Sequence, residues 1–322
     1  MITIGFGLLK KVVSLSKRES ITSVADFLGA RYGKSVKVAA VATLIAVVGT
    51  VPYIALQLKA VSSSLATLIS PQGFEINSEI SFLGPVFGDV SLIIAICLAA
   101  FTILFGTRHS DATEHQFGLM LAVALESFIK LAAFLTIGLF VTFYMFDGAG
   151  DLFAQAKQNT AIMSIVDRDF DTINILVLTF LSFTVFILLP RQFHVAIVES
   201  HSSEELNSAR WLFPLYLILI NLFVVPIAAA GLIRFGSTIN ADSFVLALPQ
   251  SVDNNFVSIF TFVGGLSAGT AMVIVACVAL AIMISNHIVI PLILNIRRSL
   301  DDADRSDSVN MEQQILKIRR WA

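Results

Sequence analysis

Residues 173–200 read INILVLTFLSFTVFILLPRQFHVAIVES. An apolar run long enough to cross most of a bilayer meets Pro190, then Arg191, Gln192 and His194, and resumes as the short apolar piece VAIV. Proline lacks an N–H donor and its ring clashes with the preceding turn, so the carbonyls before Pro190 lose helical partners. At membrane depth such freed backbone persists only where protein, water or a ligand satisfies it. Discontinuous helices of this kind carry substrate and ion sites in transporters. A competing reading ends the span at Leu189 and makes Arg191 an anchor at the cytoplasmic surface. These residues alone support both.

Composition sets the environment. Of 322 residues, 56% are hydrophobic and 14% charged, with a formal net charge of −2. That balance is typical of a membrane protein surrounded by a lipid bilayer. There is no basic surplus to suggest a nucleic-acid partner. Cys97 and Cys277 both fall inside apolar runs and read as small buried hydrophobes, not as a disulfide or metal pair. The phosphate-cradling and nucleophile-elbow glycine motifs are missing, so the chain is not expected to be an enzyme, and no cofactor is implied. The opening MITIGFGLLKK has its basic flank on the wrong side for a signal peptide and too short an apolar run to span; it looks like the tail of a severed helix.

Six crossings are expected, counting the broken helix as one. They run over about 36–69, 90–106, 117–146, 173–200, 211–232 and within 256–294, where Gly264 and Gly265 are expected to separate a short surface helix from a long span. Ahead of the first, Ser23 and Asp26 have capping-box spacing and begin a short amphipathic helix that Gly29 and Gly33 end. Residues 1–296 form the transmembrane domain, and 297–322 a charged loop followed by the start of a helix. Placing Lys and Arg on alternate sides puts sixteen of the twenty-one on one side and three on the other, which makes the basic side cytoplasmic.

Few polar residues interrupt the spans. Glu126 and Lys130 lie four apart in LAVALESFIKLAAFLTIGLF and share a helix face, either as a self-neutralising pair or as a functional site. Tyr53 and Gln57, with Val61, make a stripe on the first span; a cavity wall and an interhelical ladder both fit it, while Lys59 points elsewhere and snorkels. His109, Asp111, Glu114 and His115 crowd one turn, but their spacing lacks the two-ligand helical arrangement, and a solvated turn is expected instead of a metal site. His287 reads as a helix-end hydrogen-bonding residue.

Several stretches, taken in order, resemble the sodium/solute symporter family: SITSVADFLGARYGKS, FGTRHSDATEHQ and LLPRQFHVAIVES. VPYIALQLKAVSSSL, ILLPRQFHVAIVES and ARWLFPLYLILINLFVVPIA are closest to the branch formed by transporter-like input domains of bacterial sensor histidine kinases. The resemblance covers essentially the whole chain. It implies an all-α integral membrane protein with a partial LeuT-like inverted-repeat bundle, truncated at both ends, in a bacterial inner membrane. The implied solute is an amino acid or similar small organic molecule, carried by a symporter or sensed by a non-transporting receptor. A kinase domain and its response regulator would lie beyond these residues.

The solute site implied by the resemblance uses Pro190, Arg191, Gln192 and His194 of the broken helix, Tyr53 and Gln57 opposite, and Ser182 and Thr184 as hydroxyl donors. Sodium coupling in the family uses neighbouring hydroxyls on the last span; the aligned residues Ile274 to Ala276 have none, and Ser267 and Thr270 take that place only with a shifted register. Glu126, with Lys130 beside it, and His194 are the alternative coupling groups, for protons. Substituting Glu126 or His194 is expected to abolish pH-dependent uptake.

Overall fold

The computed structural model describes residues 5–69, 90–101, 103, 117–166, 171–200 and 203–294. The turn containing His109, Asp111, Glu114 and His115, and the expected loop and helix start at 297–322, lie outside the described residues. Within them the fold is all-helical.

Helix α1 (Phe6–Arg18) buries Leu9, Val12, Val13 and Ser16, spaced along one face, and leaves Lys10, Lys11, Lys17 and Arg18 exposed. Helix α2 (Val24–Arg31) starts as its sequence dictates: the Ser23 hydroxyl accepts from Asp26 N at 3.1 Å, and the Asp26 carboxylate accepts from Thr22 N at 3.1 Å. Gly33, at φ +71°, follows its end. Gly29 does not end the helix. It sits inside α2, where an added Cβ would lie 3.2 Å from the Ala39 Cβ, so it serves close packing.

Helix α3 (Val36–Ile69) runs through Pro52 without ending. Helix α4 (Val90–Phe101) is followed by α5 (Phe117–Phe140), which a π turn at Val141–Met145 extends. Two short helices, α6 (Ala149–Gln158) and α7 (Thr160–Val166), lead to α8 (Thr172–Leu188) and α9 (Pro190–Phe193), the latter extended by a π turn at His194–Val198. Helices α10 (Ser203–Asn221) and α11 (Val224–Phe235) precede α12 (Phe244–Gln250) and α13 (Asn255–Ile284), which continues through a π turn at Ser285–Val289 to Leu294.

Among the described residues, four helical stretches are long and apolar enough to cross a membrane: Val36–Leu68, Gly118–Met145, Glu205–Phe235 and Asn255–Leu294. The bent pair Thr172–Leu188 and Pro190–Val198 makes five if counted as one span. The remaining expected crossing, 90–106, is described only over α4 and residue 103, and the rest of it lies outside the described residues. The expected division at Gly264 and Gly265 is also corrected, because α13 passes through both without interruption.

The reason for that continuity lies in the partners of α13. A Cβ on Gly264 would run into the Ala133 Cβ of α5, and one on Gly269 would come within 2.6 Å of Val61 Cγ2 on α3. Lipid-embedded helices associate through such small-residue contacts, since lipid supplies little hydrophobic drive between them. Two apolar cores bracket this crossing. One joins Ile137, Val141, Leu152, Ala230, Phe244, Leu248 and Val257; the other joins Leu9, Val13, Ala25, Phe193, Ile197 and Met283. Val257 and Met283 lie about 39 Å apart by helical rise, so α13 spans the distance between the cores. At the second end, Asn286 Nδ2 donates to Thr22 Oγ1 at 3.3 Å and His287 Nε2 meets Ser23 Oγ at 3.2 Å, the helix-end contact expected of His287.

Gly264→Ala is expected to cost about 1–3 kcal/mol of unfolding free energy through overpacking. Gly265→Ala, with open space around its Cβ position, is expected to be neutral or to gain up to about 1 kcal/mol of helix propensity. Denaturant melts in detergent read both, and equal effects would contradict the close approach of α13 to α5.

Candidate functional site

The break in the fourth span is one residue wide. Leu189 is extended, at φ −72° and ψ 124°, and Pro190 starts the next helix, where its missing N–H and fixed φ suit a first position. The two pieces meet at 56°. Phe193 N donates to Leu189 O at 2.9 Å, so the chain regains helical bonding at once. The carbonyls of Phe186, Ile187 and Leu188 have no backbone partner among the described residues across the break, because Pro190 carries no N–H and the bonding restarts only at Leu189. The second piece is held firmly: Phe193 is 0% exposed and its ring centroid lies 5.8 Å from that of Phe27 on α2.

Arg191 is not a bare surface anchor. It is half-buried, and its guanidinium carbon lies 5.8 Å from the centroid of the Tyr53 ring on α3. The Tyr53 hydroxyl points to Met272 Sδ on α13, at 2.9 Å. One and a half turns back along α13, Ser267 Oγ donates to the carbonyl of Glu126 at 3.3 Å, and Thr270 lies beside the Glu126 carboxyl. Lys130 completes the group. Its ammonium sits 5.8 Å from the centroid of the Tyr216 ring on α10, within the electrostatic reach of both Glu126 and Arg191. Five segments thus converge: α3, α5, the broken helix, α10 and α13.

The Glu126–Lys130 pair is consequently not self-contained, because Lys130 is shared with an aromatic face and with a second cation. The hydroxyl of Tyr216 is buried without a hydrogen-bond partner among the described residues. Thr270 Oγ1 lies 3.0 Å from Leu266 O and 3.1 Å from Ser267 O, so its single proton is shared among these carbonyls and the Glu126 carboxyl. Donors at this cluster include the two cations and the Tyr216 hydroxyl.

Other expected site residues fall elsewhere. Gln57 is half-buried, with its carbonyl 4.0 Å from where a Gly269 Cβ would stand, and Val61 is buried against the same glycine. The stripe Tyr53–Gln57–Val61 is thus the packing surface of α3 against α13. Ser182 is exposed, as is every residue of α8 from Thr172 onward to it, and the Thr184 hydroxyl bonds back to Phe180 O and Leu181 O. Neither joins the cluster. Gln192 is half-buried beside Arg191. His194 is 3% exposed and its Nε2 faces Glu199 Oε1 at 3.3 Å, without the alignment of a hydrogen bond. The π turn explains the encounter: Glu199 N bonds to His194 O, which stacks residues five apart.

No family model, curated protein or solved structure matches the chain. The reading of the site therefore stands on this geometry. Among the described residues no group of three or more His, Cys, Asp or Glu side chains is placed to hold a metal ion. Tyr216, Met272 and Glu199 were not anticipated. Tyr216 carried one signal, a phenol within the apolar run LFPLYLILIN; Met272 carried none.

Tyr216→Phe is expected to leave the melting temperature unchanged or slightly raised, since it removes a buried hydroxyl with no partner. Tyr216→Leu removes the ring beneath Lys130 and is expected to cost about 0.5–2 kcal/mol. A larger loss for Phe than for Leu would contradict this arrangement.

Proposed function

We propose that the chain is the solute-binding membrane domain of a transporter-like protein of the sodium/solute symporter type, with a LeuT-like helix arrangement, taking an amino acid or similar small organic solute. The observation that carries this reading is the meeting of Arg191 from a broken helix with Glu126, Lys130 and Tyr53 partway along the apolar spans. Charged side chains at such depth are costly and cluster where a span faces a pathway or ligand. A proline break beside them is the arrangement by which transporters present sites at the membrane midplane. Gln192, the residue after Arg191, is half-buried and carries an amide that both donates and accepts.

Coupling follows from the same group. Glu126 can hold a proton or, with the Ser267 and Thr270 oxygens nearby, face a sodium ion. Attachment to a sensor histidine kinase would turn occupancy of the site into a signal in a bacterial inner membrane.

The test is uptake of a radiolabelled amino-acid mixture by vesicles containing the full-length protein, with sodium and proton gradients imposed separately. Saturable uptake is expected in the wild type and in the Ser182→Ala control. Arg191→Gln and Gln192→Ala are expected to lose about tenfold or more, in line with loss of a charge-assisted contact. Binding without accumulation identifies a receptor. Uptake and binding indifferent to both substitutions would overturn the assignment of the site.

A further inference from the structure

We propose that the solute taken at this cluster carries one net negative charge, with Lys130 and Arg191 as its joint counter-charge and Glu126 as their internal compensation. The inference rests on the solute-site reading above and adds a rule for the ligand's charge.

A charge inventory leads to it. Helices α4, α8 and α13 contain no Asp, Glu, Lys or Arg. Helix α3 adds Lys37 at its start and Lys59, which is exposed. On α10 and α11 the only charges past Glu205 are Arg210 and Arg234, toward the two ends of that span. Glu199 lies two turns beyond Arg191 on its own segment, about 12 Å by helical rise, and faces His194. The cluster itself thus holds two cations and one carboxylate among the described residues, an excess of one positive charge in an apolar surround.

The rings of Tyr53 and Tyr216 soften that excess without cancelling it, since a π face carries no net charge. A neutral or zwitterionic solute would leave the excess in place, and a dianion would reverse it. A monoanion closes the balance. The hydrogen-bonding inventory agrees: Lys130 and Arg191 bring N–H donors, Tyr216 an unpaired hydroxyl and Gln192 an amide N–H, while the Ser267 hydroxyl donates to the Glu126 backbone carbonyl. Such a donor-rich site accepts carboxylate oxygens.

Two near-isosteric pairs isolate the charge: L-glutamate against L-glutamine, and butyrate against butyramide. Titrated calorimetrically into the full chain in lipid nanodiscs, the anion of each pair is expected to bind about thirtyfold or more tightly than its amide, the scale of an unmatched desolvated charge. Lys130→Met is expected to weaken both anions about tenfold or more, and Glu126→Gln to strengthen them. Tyr216→Phe, which does not depend on changing a charge, is expected to weaken them severalfold while leaving the fold intact; it keeps the proposal testable if Lys130→Met fails to fold.

Amides binding within about threefold of the anions, or anions indifferent to Lys130→Met and Tyr216→Phe, would overturn the charge rule. The site assignment would then stand if Arg191→Gln still abolished binding. Absence of binding by all four probes overturns the inference, and the solute-site reading falls with it only if the uptake screen also finds no solute.

Discussion

Gly264 and Gly269 bring α13 so close to α5 and α3 that a methyl group at either position would occupy its neighbour's space. In lipid this contact must come from shape, because surrounding acyl chains are as apolar as the helices themselves. The polar contacts that α3 and α5 make with α13 follow from it. With Ala133 and Val61 fixed against α13, Glu126 and Lys130 one to two turns along α5, and Tyr53 two turns along α3, have nowhere to go but the same region. Ser267 and Met272 mark the two meeting points on α13. Helix packing thus forces the polar encounter, and the encounter does not create the packing.

The fourth span adds the second cation through a different device. Proline at 190 halts the helix for a single residue and re-aims the chain by 56°, and Phe193 and Ile197 then lock the new direction into the core shared with α1 and α2. Arg191 falls between the break and that anchor, so its place over Tyr53 is set from both sides. Helix α8, on the other side of the break, has an exposed apolar surface from Thr172 to Ser182, suited to a lipid surround. The two pieces therefore differ in role: one exposes an apolar surface, and the other carries charge into the bundle.

The sequence made legible what depends on near neighbours. The Ser23–Asp26 cap, the break at Pro190 and four of the apolar spans, five with the broken one, are local features, and each lies where its residues predict. What failed required a partner. Gly264 reads equally as a helix breaker and as a point of close approach, and only Ala133 decides between them. The pairing of Glu126 with Lys130 is a correct local inference that cannot anticipate Arg191 or Tyr216, which come from other segments. A π turn, which sequence periodicity does not announce, sets His194 against Glu199, a partner its place after the proline does not foretell. Met272 is an ordinary apolar residue until Tyr53 reaches it.

Lys130 and Arg191, from separate segments, come within electrostatic reach of each other among the apolar helices. A double-mutant cycle on Lys130→Met and Arg191→Gln, read as unfolding free energy in nanodiscs, tests it most directly. Each single substitution relieves repulsion between the two cations, and the double variant relieves it only once. The double variant is therefore predicted to be less stable than the summed single effects by at least about 0.5 kcal/mol. Additivity within about 0.3 kcal/mol would show that the two residues do not sense each other, and would contradict the convergence.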